Sequence, residues 1–127
     1  MKVMINRVIA FWLLTAFLLG SFSLSEGVYA RPKEPPLIKG LKVRQSPRGG
    51  LDVTFKREKK VDGYRVQFDT SPRFTHPQRI NSSSTSVHII AKKGRTYYVR
   101  VLGFVYDSRR RRVIGKYTKP VKIKVKR

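Results

Sequence analysis

The sequence contains no cysteine and few acidic residues. Its 127 residues include 7 Asp and Glu side chains against 29 Lys and Arg, with 2 histidines and 1 tryptophan. Without cysteine neither a disulfide scaffold nor a lipid-attachment thiol is available, so a folded chain must rely on its apolar core. The chain after residue 30 also lacks a convincing helical period, which argues against a helical fold.

The scarcity of histidine and acid limits the chemistry as well. His76 lies beside a proline and His88 lies on the outward side of a strand pattern, and neither has a second ligand at zinc spacing. The serines have no histidine and acid in a hydrolase order, and no helix follows the glycines to form a phosphate loop. The sequence therefore predicts a protein that is not an enzyme and has no catalytic residues, metal or cofactor.

The first thirty residues have the three parts of a secretory signal. Lys2 and Arg7 give a positive start, residues 8–20 are apolar, and residues 28–30 place small side chains at the cleavage positions. We expect cleavage after Ala30 and a product that is secreted or associated with the cell envelope. The alternative is an uncleaved membrane anchor, since the apolar region extends toward the roughly twenty residues that a spanning helix needs.

Residues 31–127 are strongly basic. They carry 27 basic and 6 acidic side chains, a formal charge of +21, on a length of 97 residues that suits one domain. Such a charge attracts polyanions at long range. We expect a monomer whose partner is an anionic polymer: a cell-wall polymer, a glycan or extracellular nucleic acid. An anionic membrane surface is a further possible partner. The alternative is a basic surface that serves only solubility.

Seven short segments alternate apolar and polar residues and are separated by turn signals. They are residues 37–45, 51–56, 64–69, 78–81, 86–91, 94–106 and 121–126. The three prolines of residues 31–36 favour an extended leader, so the domain spans residues 37–127. Strands of this number and spacing predict an all-β antiparallel sandwich of the immunoglobulin-like type.

The strongest strand signal is residues 94–106. Its predicted inward set is Tyr97, Val99, Val101, Gly103 and Val105, and its predicted outward set is Tyr98, Arg100, Leu102, Phe104 and Tyr106. Aromatic rings interleaved with arginine are suited to stacking on sugars or bases, so the outward set is a candidate surface for a protein or glycan. The alternative is that the aliphatic stems of neighbouring polar residues cover it. Docking of another exported protein on this surface is the alternative function.

Four motifs of the chain resemble those of a fibronectin type III domain. They are Leu51-x-Val53-x-Phe55, Gly63-Tyr64-x-Val66-x-Phe68, Lys93-Gly94-x-Thr96-Tyr97-Tyr98-Val99-Arg100-Val101 and Gly115-x-Tyr117-Thr118-x-Pro120-Val121. The resemblance covers residues 36–126 and is closest to the basic, cysteine-free type of secreted bacterial proteins. It implies a seven-stranded sandwich that acts as a binding or spacer module without chemistry.

The resemblance also implies structural roles for three aromatic residues. Tyr97 would form a tyrosine corner, with a buried ring and a hydroxyl bonded to backbone a few residues upstream. Phe55, where the family usually has tryptophan, and Tyr64 would fill the core. Ala91 stands where the family usually has leucine, and we expect Ile90 to supply the missing bulk.

In this fold the loops after the second and sixth strands leave the same end of the sandwich. The resemblance therefore implies that two basic clusters lie close together: Lys56, Arg57, Lys59 and Lys60 from one loop, and Arg109, Arg110, Arg111 and Arg112 from the other. The planar guanidinium group suits phosphate, sulfate and carboxylate, so these residues are a candidate anion-binding site. The alternative is a solvated tip that only resists edge aggregation.

Overall fold

Residues 33–127 of the computed structural model form two antiparallel β-sheets. The strands are β1 (Lys42–Gln45), β2 (Leu51–Thr54), β3 (Gly63–Asp69), β4 (Gln78–Ser82), β5 (Ser86–Ile89), β6 (Thr96–Tyr106), β7 (Arg112–Ile114) and β8 (Val121–Lys124). The predicted signal peptide lies outside the described residues. Across residues 33–127 there is no helix long and apolar enough to cross a membrane.

The strand order is that of a seven-stranded sandwich. One sheet has the order β1-β2-β5, and the other has β4-β3-β6 with both β7 and β8 along the remaining edge of β6. β7 pairs with the end of β6 and β8 pairs with its beginning, so the two form one edge strand that is interrupted between residues 115 and 120. The predicted all-β, immunoglobulin-like sandwich is confirmed.

The core lies between the two sheets and consists of the inward positions of the alternating segments. Leu51, Val53, Val66, Val99 and Val101 have no exposed surface. Burying an aliphatic side chain of this kind contributes roughly 1.5–3 kcal/mol to the free energy of unfolding. A chain without disulfides is therefore held by apolar packing between its sheets, with the rings of Phe55 and Tyr64 4.8 Å apart at one end of the core.

Two buried tyrosines tie loops to the sandwich through their hydroxyl groups. Tyr97 accepts the backbone N–H of Lys92 at 2.8 Å, five residues upstream, with its ring 7% exposed. This is the geometry of a tyrosine corner. Tyr64 in the same way accepts the backbone N–H of Glu58 at 2.9 Å. Each contact gives a buried hydroxyl the partner that it needs.

The expectation for Ile90 is wrong. β5 ends at the buried Ile89, and the side chain of Ile90 is 88% exposed because it has the outward parity of that strand. Ala91 packs against the core itself, partly buried.

The expectation that Leu102 and Phe104 stay exposed is also wrong, since they are 0% and 5% exposed. Gly63 pairs with Phe104 across the β3–β6 ladder, and a Cβ atom on Gly63 would lie 2.5 Å from the tip of the Phe104 ring. The tip of the ring therefore occupies the space beside Gly63 that the side chain of a larger residue would fill. Its other neighbours are Tyr106 and Arg112.

The middle of the outward face is covered by one stacked arginine. The Arg100 guanidinium lies 3.9 Å from the ring centre of Phe74 and 4.1 Å from that of Tyr117. Its Nε donates to Gln67 Oε1 at 2.6 Å, and Gln67 is only 2% exposed. Cation–π stacking and this hydrogen bond thus cover a face that alternation alone would leave exposed to solvent.

Candidate functional site

Two basic loops lie at the same end of the sandwich: the β2–β3 loop, which connects the two sheets, and the β6–β7 hairpin. The backbone N–H of Asp62 donates to the Phe104 carbonyl at 2.8 Å, and Asp62 Oδ2 accepts the backbone N–H of Tyr106 at 2.7 Å. These bonds place the β2–β3 loop beside the end of β6, from which the β6–β7 hairpin continues. We call the cations on these two loops the basic pole; they are Lys56, Arg57, Lys59, Lys60, Arg109, Arg110, Arg111 and Arg112, all exposed.

The acidic residues of these loops hold the backbone. Glu58 accepts the backbone N–H of Lys60 at 2.9 Å, and Asp107 Oδ1 accepts those of Arg109 and Arg111, each at 2.8 Å. The hydrogen bond from the Arg111 N–H is the main cause that lowers the pKa of Asp107 below its usual range. Glu58, Asp62 and Asp107 therefore shape these loops through backbone hydrogen bonds, and the same segments carry eight cations.

The four hairpin arginines divide into two pairs. Arg111 Nε lies 3.2 Å from Asp107 Oδ2, and the Arg112 guanidinium lies 5.2 Å from the centre of the Phe104 ring. Arg109 and Arg110 are exposed and form no ion pair within residues 33–127. Arg110 has a φ of 62°, the left-handed conformation that closes the tip. Arg111 and Arg112 therefore each contact another side chain of the protein, whereas Arg109 and Arg110 are free to contact a ligand.

A groove of about 220 Å³ lies beside the basic pole, and we call it the polar groove. It is lined by Asp62, Gly63, Asn81, Ser82, Ser83, Phe104, Tyr106 and Arg112. Tyr106 is 48% exposed and meets Phe104 edge-on, with 5.6 Å between ring centres. No sequence pattern indicates that Asn81 and Ser83 belong to a site. The pairing of Tyr64 in β3 with Ser82 in β4 brings Asn81 and Ser83 to the groove. This register between two strands cannot be predicted from a local sequence pattern.

The predicted surface on the central strand is not a continuous exposed row. Of its members Tyr98, Arg100, Phe104 and Tyr106, only Tyr106 is exposed, while Tyr98 and Arg100 are half-buried. The physical reason is the stack of Arg100 between Phe74 and Tyr117, together with the seating of Phe104 on Gly63. Its exposed end, Tyr106, belongs to the polar groove.

Asp69 and Asp52 also stabilise local structure. Burial tends to raise the pKa of Asp69, but backbone N–H groups of His76 and Thr70 donate to it at 3.0 and 2.7 Å and outweigh that effect, so its pKa is lowered. Asp52 pairs with His88 at 2.8 Å on the outer side of the smaller sheet, and this hydrogen bond lowers its pKa. Within residues 33–127 no three His, Asp or Glu side chains group together as a metal site would require.

Solved structures with the same arrangement of strands are numerous. The chicken CNTN1 FN1–FN3 domains match with a TM-score of 0.64 at 17% identity, over 77% of this chain and 34% of that one. This protein has the fibronectin type III fold. The sixth fibronectin type III domain of human fibronectin type III domain containing protein 3 matches with a TM-score of 0.57 at 16% identity, over 77% of this chain and 92% of that domain.

The Drosophila Lar FN5 domain matches with a TM-score of 0.56 at 11% identity, over 72% of this chain and 97% of that domain. The chain thus spans about a third of the CNTN1 fragment and nearly all of each single domain. No family model and no curated protein matches the sequence. At these identities the likeness establishes the fold. Domains of this fold generally act as binding or structural modules, and the ligand must be argued from the residues of this chain.

Proposed function

We propose that this protein is an exported, non-catalytic module that binds an anionic polymer through its basic pole. The main support for this proposal is that the acidic and basic side chains of the two loops have different roles. Their carboxylates accept backbone N–H groups, and within residues 33–127 only Arg111 of the eight exposed cations also forms an ion pair, so the positive charge at this end of the sandwich is largely unpaired. A site that concentrates positive charge in this way attracts polyanions and gains affinity by releasing their counterions.

Arg109 and Arg110 are the strongest candidates for direct contact. They sit at the hairpin tip without an internal ion pair among residues 33–127, and their guanidinium groups can each bind an oxyanion through two parallel hydrogen bonds. The secretory signal in the first thirty residues supports export. Docking of a protein partner on the central strand has less support, because two of its predicted contact residues are half-buried and Phe104 is buried.

The test compares two variants that lose the same charge. The pole variant replaces Lys59, Lys60, Arg109 and Arg110 by Gln, and the control variant replaces Lys42, Arg44, Lys122 and Lys124, which are equally exposed strand residues elsewhere. Binding of heparin and of inorganic polyphosphate is measured by titration across a salt series. We expect the pole variant to bind at least about tenfold more weakly than the control and to show a shallower salt dependence.

Equal losses in the two variants would contradict the proposal, because binding would then follow net charge alone. So would the absence of binding by the unaltered protein at about 0.15 M salt, where charges separated by more than a Debye length are screened. A thermal-shift series with the same polyanions gives an independent readout, since a ligand that binds only the folded state raises the unfolding temperature.

A further inference from the structure

The polar groove differs from the basic pole in the chemistry that it presents. Its aromatic side consists of Phe104 and the exposed Tyr106. Its polar groups are the guanidinium of Arg112, the carboxylate of Asp62 and the uncharged side chains of Asn81, Ser82 and Ser83. Its volume of about 220 Å³ lies below the roughly 300–1,000 Å³ of sites for drug-sized molecules. A groove of this size is suited to contact with a single ring of a polymer.

The hydrogen-bonding groups of the groove favour a ligand rich in hydroxyl groups. Asp62 uses Oδ2 to accept the Tyr106 N–H, which leaves its second oxygen as an acceptor. Asn81 accepts from Arg65 Nε at 3.1 Å through its oxygen, which leaves its amide nitrogen as a donor. The Asp62 carboxylate accepts hydrogen bonds from hydroxyl groups and repels any anionic group close to it. It therefore favours the hydroxyl groups of a sugar ring over a polyphosphate chain, which has an anionic group at every unit and no hydroxyl groups between them.

The aromatic and cationic groups add two further requirements. The C–H bonds on the face of a sugar ring carry partial positive charge and pack on the negative face of an aromatic ring. Arg112 has no ion pair within residues 33–127 and is held 5.2 Å from the Phe104 ring centre at the rim of the groove. An arginine placed in this way suits a planar carboxylate substituent on the same ring.

We propose that the polar groove binds one acidic sugar residue, so that the anionic polymer held by the basic pole is an acidic polysaccharide. This inference rests on the proposed function and narrows its ligand to one chemical class. The groove lies between the β6–β7 hairpin and the turn after β4, and it shares Arg112 with the basic pole. A chain of acidic sugars can therefore place one ring in the groove while its neighbouring carboxylates reach Arg109 and Arg110.

The test measures binding of a galacturonic acid hexamer, its carboxyl-reduced neutral counterpart and polyphosphate to the full domain. Tyr106→Ala removes the exposed ring, and Tyr106→Phe is the matched control that keeps it. We expect Tyr106→Ala to weaken hexamer binding about tenfold, as loss of one stacking ring does at other sites, while polyphosphate binding changes by less than about twofold. Tyr106→Phe is expected to bind the hexamer like the unaltered protein, and the neutral counterpart is expected to bind at least about tenfold more weakly than the hexamer.

The outcomes separate the two proposals. If Tyr106→Ala leaves hexamer binding unchanged, or weakens hexamer and polyphosphate equally, the groove does not bind a sugar, although loss of both ligands in the pole variant would still support the basic pole. If the unaltered protein binds neither polyanion at about 0.15 M salt, the proposed function fails and the groove inference fails with it. Thermal unfolding of each variant verifies that it is folded.

Discussion

The two faces of β6 are closed in different ways. On the inner face Val99 and Val101 pack against the opposite sheet with no exposed surface. On the outer face the burial comes from Arg100, stacked between two rings, and from Phe104, seated on a glycine. Alternation therefore assigns a side chain to a face of the sheet, whereas residues from other segments decide whether that side chain is exposed.

The largest expected effect is on the free energy of unfolding, when an aromatic ring of the core and one of the outer face are removed in turn. Phe55→Ala should lower the free energy of unfolding by about 3–5 kcal/mol, because it leaves a cavity between the sheets. Phe104→Ala should lower it by about 1.5–3 kcal/mol, the transfer contribution alone, since water can enter the space it leaves. Urea unfolding of both variants measures the difference. Equal losses would show that the outer face is packed as tightly as the core, and no loss for Phe104→Ala would show that its burial contributes nothing.

A smaller effect is expected from Arg100→Lys, which keeps the charge and removes the planar fork. Lysine cannot stack on Phe74 and Tyr117 together, and it gives up the geometry of the hydrogen bond to Gln67. We expect a loss of about 1–2 kcal/mol in the free energy of unfolding, from weakened cation–π contacts and a less well satisfied buried amide. The control is Arg79→Lys on the exposed edge strand β4, which should change little. Equal effects in the two variants would contradict the structural role of the stack.

The smallest expected effect is the pH dependence of stability that comes from Asp69. Asp69 has a lowered pKa in the folded protein, so the folded state binds a proton less readily than the unfolded state does. Its contribution to stability is therefore complete above the ordinary Asp pKa of about 3.9 and is lost as the pH falls through the lower folded value. Asp69→Asn should lower the unfolding temperature at neutral pH, and the difference from the unaltered protein should shrink below about pH 4. A difference that is constant with pH would contradict this account.

The sequence predicts the inner face better than the outer face for a physical reason. Inward positions such as Val53, Val66 and Val99 follow a local period of two, which any strand imposes. The cover of the outer face comes from Phe74 in the β3–β4 loop and Tyr117 in the interruption of the edge strand, and neither segment has a period. The register that seats Phe104 on Gly63 joins residues far apart in the chain.

The same limit applies to the candidate site. Charge runs predict the members of the basic pole, and the resemblance to a known fold predicts that the two loops are neighbours. The fate of the acidic residues does not follow from composition, because a carboxylate beside lysine in sequence can equally form an ion pair or accept a backbone N–H. In the structure Glu58, Asp62 and Asp107 all accept backbone N–H groups, and Asp107 also pairs with Arg111.

The most direct measurement of the central claim is a nuclear magnetic resonance titration of residues 31–127 with heparin, read as shifts of individual backbone amides. The account predicts the largest shifts in residues 56–62 and 107–112, with smaller ones in β1 and β8. Equally large shifts of the exposed lysines and arginines of β1 and β8 would mean that binding depends on net charge alone. That result would contradict a binding site at the basic pole.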